Sequence, residues 1–270
     1  MNRYVRFILL ATTFAALTVG CQPSTPTDAS PTTTTAPADP YAHIEDQAAS
    51  VLLKKAIDRA GGLEAWNKLK RLSFQKFYSL FDEAQQVEKS AQQQHHYFYQ
   101  PKKMVEIQWL EKGKVHQIVQ DGNRVSKLIN AQVDATAKTE SLLKTIESAT
   151  FVVSIPFKLL DKGVALSYAG KDTLDNGKAV EVLKAVYNPS THDTHTTPDT
   201  WWHYYDAADY TFVGYMVQHA DHYSYVLNTT FEEKGGFIFP KDRKSYRVDA
   251  ERNKLYLRAE YAYANYVVKQ

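Results

Sequence analysis

Histidine and aspartate side chains are concentrated between residues 192 and 222 of the chain. Imidazole and carboxylate groups are the side chains with which proteins bind zinc and similar metals. The candidate metal-binding histidines are His192, His195, His203, His219 and His222. Their spacings do not match the helical motif in which two histidines four residues apart bind one ion. The stretch therefore offers candidate ligands without a recognised motif, and it leaves a metal-dependent enzyme as an alternative hypothesis.

The sequence lacks the other common catalytic patterns. It contains no Gly-x-Ser-x-Gly elbow, no glycine-rich loop that would hold a phosphate and no dinucleotide-binding fingerprint. Glu232 and Glu233 are adjacent carboxylates beside a turn, where solvation is the usual role of such a pair. We therefore predict that the protein is not an enzyme, with no catalytic residue and no cofactor.

The N-terminus has the pattern of an export signal. Arg3 and Arg6 precede an uncharged run from Phe7 to Val19. This run is shorter than the roughly 20 residues that a membrane-spanning helix needs. Basic residues followed by a short apolar run and a small residue are typical of a signal peptide. We predict that residues 1–20 are such a peptide and are cleaved.

Cys21 is the only cysteine of the chain and directly follows this run. Residues 17–21, with the sequence LTVGC, resemble the bacterial lipobox, whose cysteine carries diacylglycerol after cleavage. The resemblance implies that the mature protein is bound to membrane lipid through acylated Cys21. Several acyl chains together anchor a protein firmly in a membrane. The same resemblance implies a sorting rule of bacterial lipoproteins, in which Asp after the cysteine retains the protein at the inner membrane. Gln22 at this position implies an outer-membrane lipoprotein, which we expect to face the periplasm.

Residues 21–40 are rich in Thr, Pro, Ser and Ala and show no apolar periodicity. Such a segment cannot bury enough surface to fold, so we predict a flexible tether. We expect residues 41–270 to form a single domain.

The chain has 32 Lys and Arg against 30 Asp and Glu, and two of the arginines belong to the predicted signal peptide. The mature chain is therefore formally neutral, which argues against a nucleic-acid partner.

The folded part begins with helical periodicity. Apolar residues from Ala49 to Ala60 fall on one stripe of a helix, and Gly61-Gly62 ends it. A second short helix is predicted over Leu63–Lys70. A third helical stretch, Thr139–Ser148, leads into the apolar segment Ala149–Leu160, whose proline ends the helical pattern. We expect this last element to cover one side of a sheet.

The remaining segments alternate apolar and polar residues with the period of a strand. We predict strands over residues 72–79, 94–99, 103–110, 114–120, 124–129, 164–169, 179–187, 200–206, 210–219, 222–231, 237–239, 244–248 and 255–268. Ten or more antiparallel strands in one domain do not form a flat open sheet. The predicted fold class is therefore α+β: a strongly curved antiparallel β half-barrel of about ten or more strands, with about three helices covering its concave face.

Five short motifs carry a resemblance to a known family. They are AGGLEAW at residues 60–66, LKRLSF at 69–74, SIPFKL at 154–159, DTWWHYYD at 199–206 and GFIFP at 236–240. Together they resemble an uncharacterised secreted bacterial lipoprotein family, a domain of unknown function related to outer-membrane lipoprotein-sorting proteins of the LolA/LolB type. The resemblance implies a half-barrel with an apolar cavity for acyl chains and without catalytic residues. Residues specific to lipoprotein sorting do not map onto this chain, so a sorting role is not carried over.

Aromatic residues are the candidates for contact with an apolar ligand, and the chain has 18 Tyr, 12 Phe and 4 Trp. Alternation places Trp201, His203 and Tyr205 on one face of a strand and Trp202 and Tyr204 on the other. The candidate ligand-binding residues are Phe74, Tyr78, Trp109, Phe157, Trp202, Tyr204 and Tyr215.

Two functions are compatible with this aromatic content. In the first, the chain is a non-catalytic envelope lipoprotein that binds an apolar small molecule, a lipid or an acyl chain in the half-barrel. In the alternative, the same aromatic residues fill the core, and the protein is a structural or protein-interaction lipoprotein. An open cavity would favour the first function and a filled one the second.

Overall fold

The computed structural model describes residues 39–187 and 199–270, and within these all strands belong to one antiparallel sheet. The predicted signal peptide, Cys21, the tether up to residue 38, His192 and His195 lie outside the described residues. The strands are β1 Arg71–Phe81, β2 Val87–Phe98, β3 Met104–Glu111, β4 Lys114–Asp121, β5 Arg124–Ile129, β6 Gln132–Val133, β7 Val164–Thr173, β8 Ala179–Tyr187, β9 Thr200–Asp206, β10 Phe212–Gln218, β11 Tyr223–Lys234, β12 Phe237–Val248 and β13 Lys254–Lys269.

The sheet consists of two meanders that meet where the first strand pairs with the last. The strand order is β6-β5-β4-β3-β2-β1-β13-β12-β11-β10-β9-β8-β7. At the central junction, Lys76 of β1 lies opposite Tyr263 of β13, and Tyr78 lies opposite Tyr261. The two meanders are therefore joined directly by backbone pairing as well as by the chain between β6 and β7.

Bulges and one glycine bend the long sheet. The register shifts between Ser73 and Gln75 in β1 and again within β11, and such bulges increase local twist and curvature. Gly214 in β10 has a φ of 153° and lies directly against the backbone of Val226, where a Cβ would not fit. Twist that accumulates over thirteen strands, together with these bends, produces an open half-barrel. The predicted α+β half-barrel is confirmed.

Helix α1, Gln47–Arg59, covers one end of the inner face, the face of the sheet on which the helices pack. Its buried residues are Ala49, Leu52, Leu53, Ala56 and Ile57. They form the predicted apolar stripe and pack against strands β7 and β8. Asp46 caps the helix, because its carboxylate accepts hydrogen bonds from the amides of Ala48 and Ala49.

Helix α2, Leu63–Asn67, and helix α3, Thr139–Ser154, complete the cover of the inner face. Helix α3 contacts β5 and runs six residues beyond its predicted end at Ser148. It ends just before Pro156, because proline disfavours the helical conformation of the residue that precedes it. A short 3-10 helix, Phe157–Leu160, follows. The apolar segment 149–160 thus divides into a helix end and a separate turn.

Strand β12 joins two segments that the sequence predicts as separate strands, 237–239 and 244–248. Pro240 lies between them, and proline cannot donate a ladder hydrogen bond. Pairing of β12 with β13 begins only at Asp242, so the absent amide hydrogen of Pro240 breaks no bond to β13.

Among the described residues, no helix has the length and apolar character required to cross a membrane.

Candidate ligand-binding cavity

A cavity of about 690 Å³ lies between helix α3 and the inner face of the central strands. Ala149 and Val152 line it from α3, and Trp201, Tyr215 and Val226 line it from β9, β10 and β11. Its outer end reaches the strand ends that carry Leu80, Asp199 and His219. Its size falls in the range of about 300–1,000 Å³ that is typical of small-molecule sites.

The cavity has an aromatic wall, formed by Trp201, Tyr215 and Tyr261. The rings of Trp201 and Tyr215 have centroids 4.9 Å apart, and Phe151 of α3 packs against Trp201 at 5.1 Å. Tyr side chains are amphipathic, so this wall offers an apolar surface that also carries hydroxyl groups. An alkyl chain or a ring system could pack against this wall through non-covalent contacts alone.

Two cations, Lys76 and Arg243, lie beside this wall. Lys76 is half-buried and lines the cavity, and its ammonium lies 5.3 Å from the ring centroid of Tyr78 and 5.2 Å from that of Tyr261. Burial, followed by the positive charge of Arg243, lowers the pKa of Lys76 to about 8. The two cations are therefore close enough to interact.

Arg243 is buried, and polar contacts hold its guanidinium group. Its Nε donates to Oδ1 of Asn228 at 2.8 Å, and Nη1 donates to the hydroxyl of Tyr263 at 3.2 Å. The group also lies 5.6 Å from the ring centroid of Tyr261 and 5.9 Å from that of Tyr215. Burial alone would lower the pKa of Arg243, but the surrounding tyrosines, Tyr263 above all, raise it, so the residue stays charged.

Tyr78 and Tyr215 are the predicted ligand-binding residues that line this cavity. Phe74 is fully buried in the inner core and stacks on His95, and Phe157 stacks on Trp66 with ring centroids 4.3 Å apart. Trp109 packs on the same inner core, where its ring stacks on that of His116. Phe74, Trp109 and Phe157 therefore fill the core beside the cavity and do not line it.

Trp202 and Tyr204 lie on the opposite face of the sheet, so their predicted place in the cavity is corrected. They belong to a second hydrophobic cluster with Val180, Val182 and Tyr225. Alternation correctly divided β9 into two faces, but it could not show which face the helices cover, because both faces carry aromatic residues. The β12–β13 turn covers the outer cluster, and its Arg252 guanidinium lies 5.5 Å from the ring of Tyr204.

The candidate metal-binding histidines do not form a cluster in the described part of the chain. His203 is buried in the inner core, where its ring stacks on Trp201 at 5.9 Å. Nδ1 of His219 lies 3.2 Å from the carboxylate of Asp199, and the ring of His222 packs 4.5 Å from that of His219. Residues 39–187 and 199–270 contain no group of three or more His, Cys, Asp or Glu side chains that could hold an ion.

Sequence analysis missed the two cations of the cavity. A signal for Lys76 was present, because Leu72, Phe74, Lys76 and Tyr78 alternate along one face of a predicted strand. A lysine within an otherwise apolar face is unusual and indicates either a partner or a cavity. Arg243 lies just before the predicted strand 244–248, next to other charged residues, and its burial had no comparable signal.

Comparison with known proteins identifies the fold. No protein-family model and no curated protein matches the chain. Solved structures that match over most of its length include a DUF1329 family protein from Desulfovibrio piger, with a TM-score of 0.55, 7% identity and coverage of 81% of this chain and 92% of that chain. A domain from Vibrio parahaemolyticus named for outer-membrane lipoprotein sorting has a TM-score of 0.51 and 8% identity, and the match covers 81% of this chain and 91% of that chain. A LolA-superfamily protein from Nitrosomonas europaea has a TM-score of 0.52 and 8% identity, with coverage of 82% of this chain and 94% of that chain. At this identity the similarity shows the fold, and the predicted resemblance is confirmed at that level.

Proposed function

We propose that this chain is an envelope lipoprotein that binds an apolar or amphipathic ligand, such as a lipid or an acyl chain, in the cavity beneath α3, without catalysing a reaction. The observation that carries the proposal is an open cavity of about 690 Å³ with an aromatic wall. A core filled with protein side chains would have left no such space. The cavity therefore favours ligand binding over the purely structural alternative.

The solved structures with this fold give independent support. Two of them are named for lipoprotein sorting or for the LolA superfamily, and both share the curved sheet over most of their length. Binding of an acyl chain in a half-barrel agrees with those names. We further propose that acylated Cys21 anchors the chain to the outer membrane, that residues 21–40 hold the domain away from the lipid surface, and that the domain faces the periplasm.

The cavity can be tested with a neutral apolar probe, N-phenyl-1-naphthylamine, whose fluorescence rises in an apolar site. Ala149→Trp places an indole ring into the cavity from α3 and should weaken probe binding by about tenfold or more, which corresponds to about 1.4 kcal/mol. Leu143→Trp adds the same ring to the exposed side of the same helix, where Leu143 is 41% exposed. This control should bind the probe like the unmodified protein.

Equal binding by both variants, or no binding by the unmodified protein, would contradict ligand binding in this cavity. Acylation is tested separately in cells by labelling with an alkyne analogue of palmitate. Cys21→Ser should abolish the label and release the protein from membranes. A label that persists in the variant would rule out Cys21 as the lipidated residue.

A further inference from the structure

The cavity contains two neighbouring cations for which the described part of the chain provides no anionic partner. Among the described residues, neither Lys76 nor Arg243 forms an ion pair with a carboxylate. Arg243 donates to two neutral groups, the amide oxygen of Asn228 and the hydroxyl of Tyr263. The ammonium group of Lys76 lies over the rings of Tyr78 and Tyr261.

The nearby carboxylates are engaged elsewhere or face away. Asp199 lines the cavity and interacts with His219. Asp242 and Glu260 neighbour Arg243 and Tyr261 in sequence, but strand alternation directs them to the outer face. There Asp242 accepts a hydrogen bond from Thr230, and Glu260 pairs with Lys244 at 3.1 Å. Glu147 also lines the cavity from α3, and it has an interaction partner of its own.

A pair of unneutralised cations is costly inside a protein. Removing a charge from water requires a partner of opposite sign or several hydrogen bonds, and two like charges that are close together raise the cost further. The pKa of Lys76 is lowered by burial and by Arg243, which reflects this cost. A bound anion would neutralise both groups at once.

Arg243 also has hydrogen-bonding capacity left for such an anion. A guanidinium group has five N–H donors, and Nε and Nη1 use two of them within the described structure. Lysine adds three ammonium donors, and Lys76 uses none of them in a hydrogen bond to another described residue. Carboxylates and phosphates are the anions whose oxygens match these donors.

We propose that the ligand is an anionic amphiphile whose carboxylate or phosphate group binds Lys76 and Arg243 while its alkyl chain packs against Trp201, Tyr215 and Tyr261. This inference rests on the proposed ligand-binding function and specifies the chemistry of the ligand. The cations and the aromatic wall are continuous, because Tyr261 contacts both cations and Tyr215 contacts Arg243 and Trp201. A cavity of about 690 Å³ is also far larger than an inorganic anion needs.

The test compares three compounds with the same alkyl chain: dodecanoate, dodecyl phosphate and uncharged methyl dodecanoate. Each competes at pH 7 against N-phenyl-1-naphthylamine, which reports occupation of the cavity regardless of charge. The unmodified protein should bind the two anions at least about tenfold more tightly than the methyl ester. Preference between the carboxylate and the phosphate then indicates the headgroup class. Inorganic phosphate alone should displace little probe.

Lys76→Met removes the ammonium with little change in volume and should reduce the preference for the anions several-fold, because only Arg243 remains to bind the headgroup, while the neutral probe still binds. Lys76→Arg keeps the charge and should retain the preference. Lys184→Met is the matched control, because Lys184 is also a half-buried lysine near an aromatic ring, with its ammonium 5.9 Å from the Trp202 ring on the outer face. That control should bind like the unmodified protein.

Each contrary outcome has a distinct meaning. Equal affinities for the anions and the methyl ester, with normal probe binding, would overturn the headgroup site and leave the proposed cavity function intact. Displacement by inorganic phosphate as effective as that by dodecyl phosphate would indicate a site for small anions and overturn the amphiphile. Absence of probe binding in the unmodified protein would overturn both proposals together.

Discussion

The carboxylate of Asp46 accepts a hydrogen bond from the backbone amide of Tyr168 at 2.9 Å. Its other oxygen caps helix α1 by accepting from the amides of Ala48 and Ala49. One side chain therefore both begins the helix and attaches it to edge strand β7, 122 residues later in the chain. The Tyr168 amide, followed by that of Ala49, lowers the pKa of this carboxyl.

Asp46→Ala should lower the free energy of unfolding, because it removes the acceptor for three backbone amides. Asp46→Asn should lower it less, since an amide oxygen can still cap the helix. The stabilisation by the carboxylate is fully present above its unfolded-state pKa of about 3.9 and is lost as the pH falls through the lower folded-state value. Urea unfolding of the three proteins from pH 7 down to pH 2 measures this. A difference between Asp46→Ala and the unmodified protein that stays constant over this range would contradict the assignment.

The two glycines after helix α1 are expected to differ in their tolerance of a side chain. Gly61 and Gly62 both have positive φ, 124° and 85°. A Cβ on Gly61 would lie 2.6 Å from the carbonyl oxygen of Gly236 and from the Phe237 ring, whereas a Cβ on Gly62 would meet no atom within 4 Å. Gly62→Ala should therefore cost the backbone strain alone, about 1 kcal/mol. Gly61→Ala should cost about 1–3 kcal/mol more, because it also overpacks the contact with β12.

Chemical denaturation of both glycine variants checks this difference. Equal losses of stability would show that helix α1 can shift away from β12 without a loss of free energy.

Gly61 and Phe237 lie in two of the five motifs that carry the sequence resemblance, and they lie next to each other in the fold. The spatial contact gives a physical reason for the presence of both.

The two faces of the sheet at strands β9 and β10 are expected to differ in their effect on ligand binding. Tyr215→Ala removes a ring from the cavity wall and should weaken binding of N-phenyl-1-naphthylamine several-fold. Trp202→Ala removes a larger ring from the outer cluster and should leave binding unchanged, although it lowers stability by loss of packing. Fluorescence titration with thermal unfolding on the same samples separates the two effects. If Trp202→Ala bound the probe more weakly while Tyr215→Ala bound it like the unmodified protein, the ligand site would lie on the outer face.

Local periodicity was sufficient to predict most of the fold. The stripe from Ala49 to Ile57 has the helical period, and the alternation around Trp201 and Trp202 has that of a strand, so both elements follow from near-neighbour patterns. Strand β6, with two residues, is too short to produce such a pattern. The continuous strand around Pro240 could not be predicted either, because it depends on where pairing with β13 begins.

The site required information that alternation does not contain. Which face is concave depends on where α1 and α3 pack, and this is a property of the whole chain. Lys76 and Tyr263 come together only because the first strand pairs with the last, across a sequence separation of almost the entire domain. Sequence analysis could therefore indicate aromatic strands and a half-barrel, but it could not bring Lys76 and Arg243 to one cavity.

Lys76 should make the stability of the ligand-free protein depend on pH in the alkaline range. Burial, followed by the charge of Arg243, lowers its pKa to about 8, whereas an unfolded lysine titrates near about 10.4. Below pH 8 both states hold the proton, and the folded state bears the cost of a buried ammonium. Between about pH 8 and 10.4 the unfolded state binds more protons, so the free energy of unfolding rises with pH.

This gain, up to about 3 kcal/mol at about 1.4 kcal/mol per pKa unit, should disappear in Lys76→Met and Lys76→Gln. Urea unfolding of the unmodified protein and both variants at pH 7 and pH 10 measures the gain. The change in the free energy of unfolding between the two pH values is determined for each protein, and the changes are then compared. Tyr261, whose pKa burial raises to about 12, is present in all three proteins, so its own titration cancels in this comparison. Over the same range, loss of the ammonium charge should weaken binding of dodecanoate but not of methyl dodecanoate. A stability difference between the unmodified protein and Lys76→Met that is the same at both pH values would show that Lys76 is well solvated and would remove the electrostatic reason for an anionic ligand.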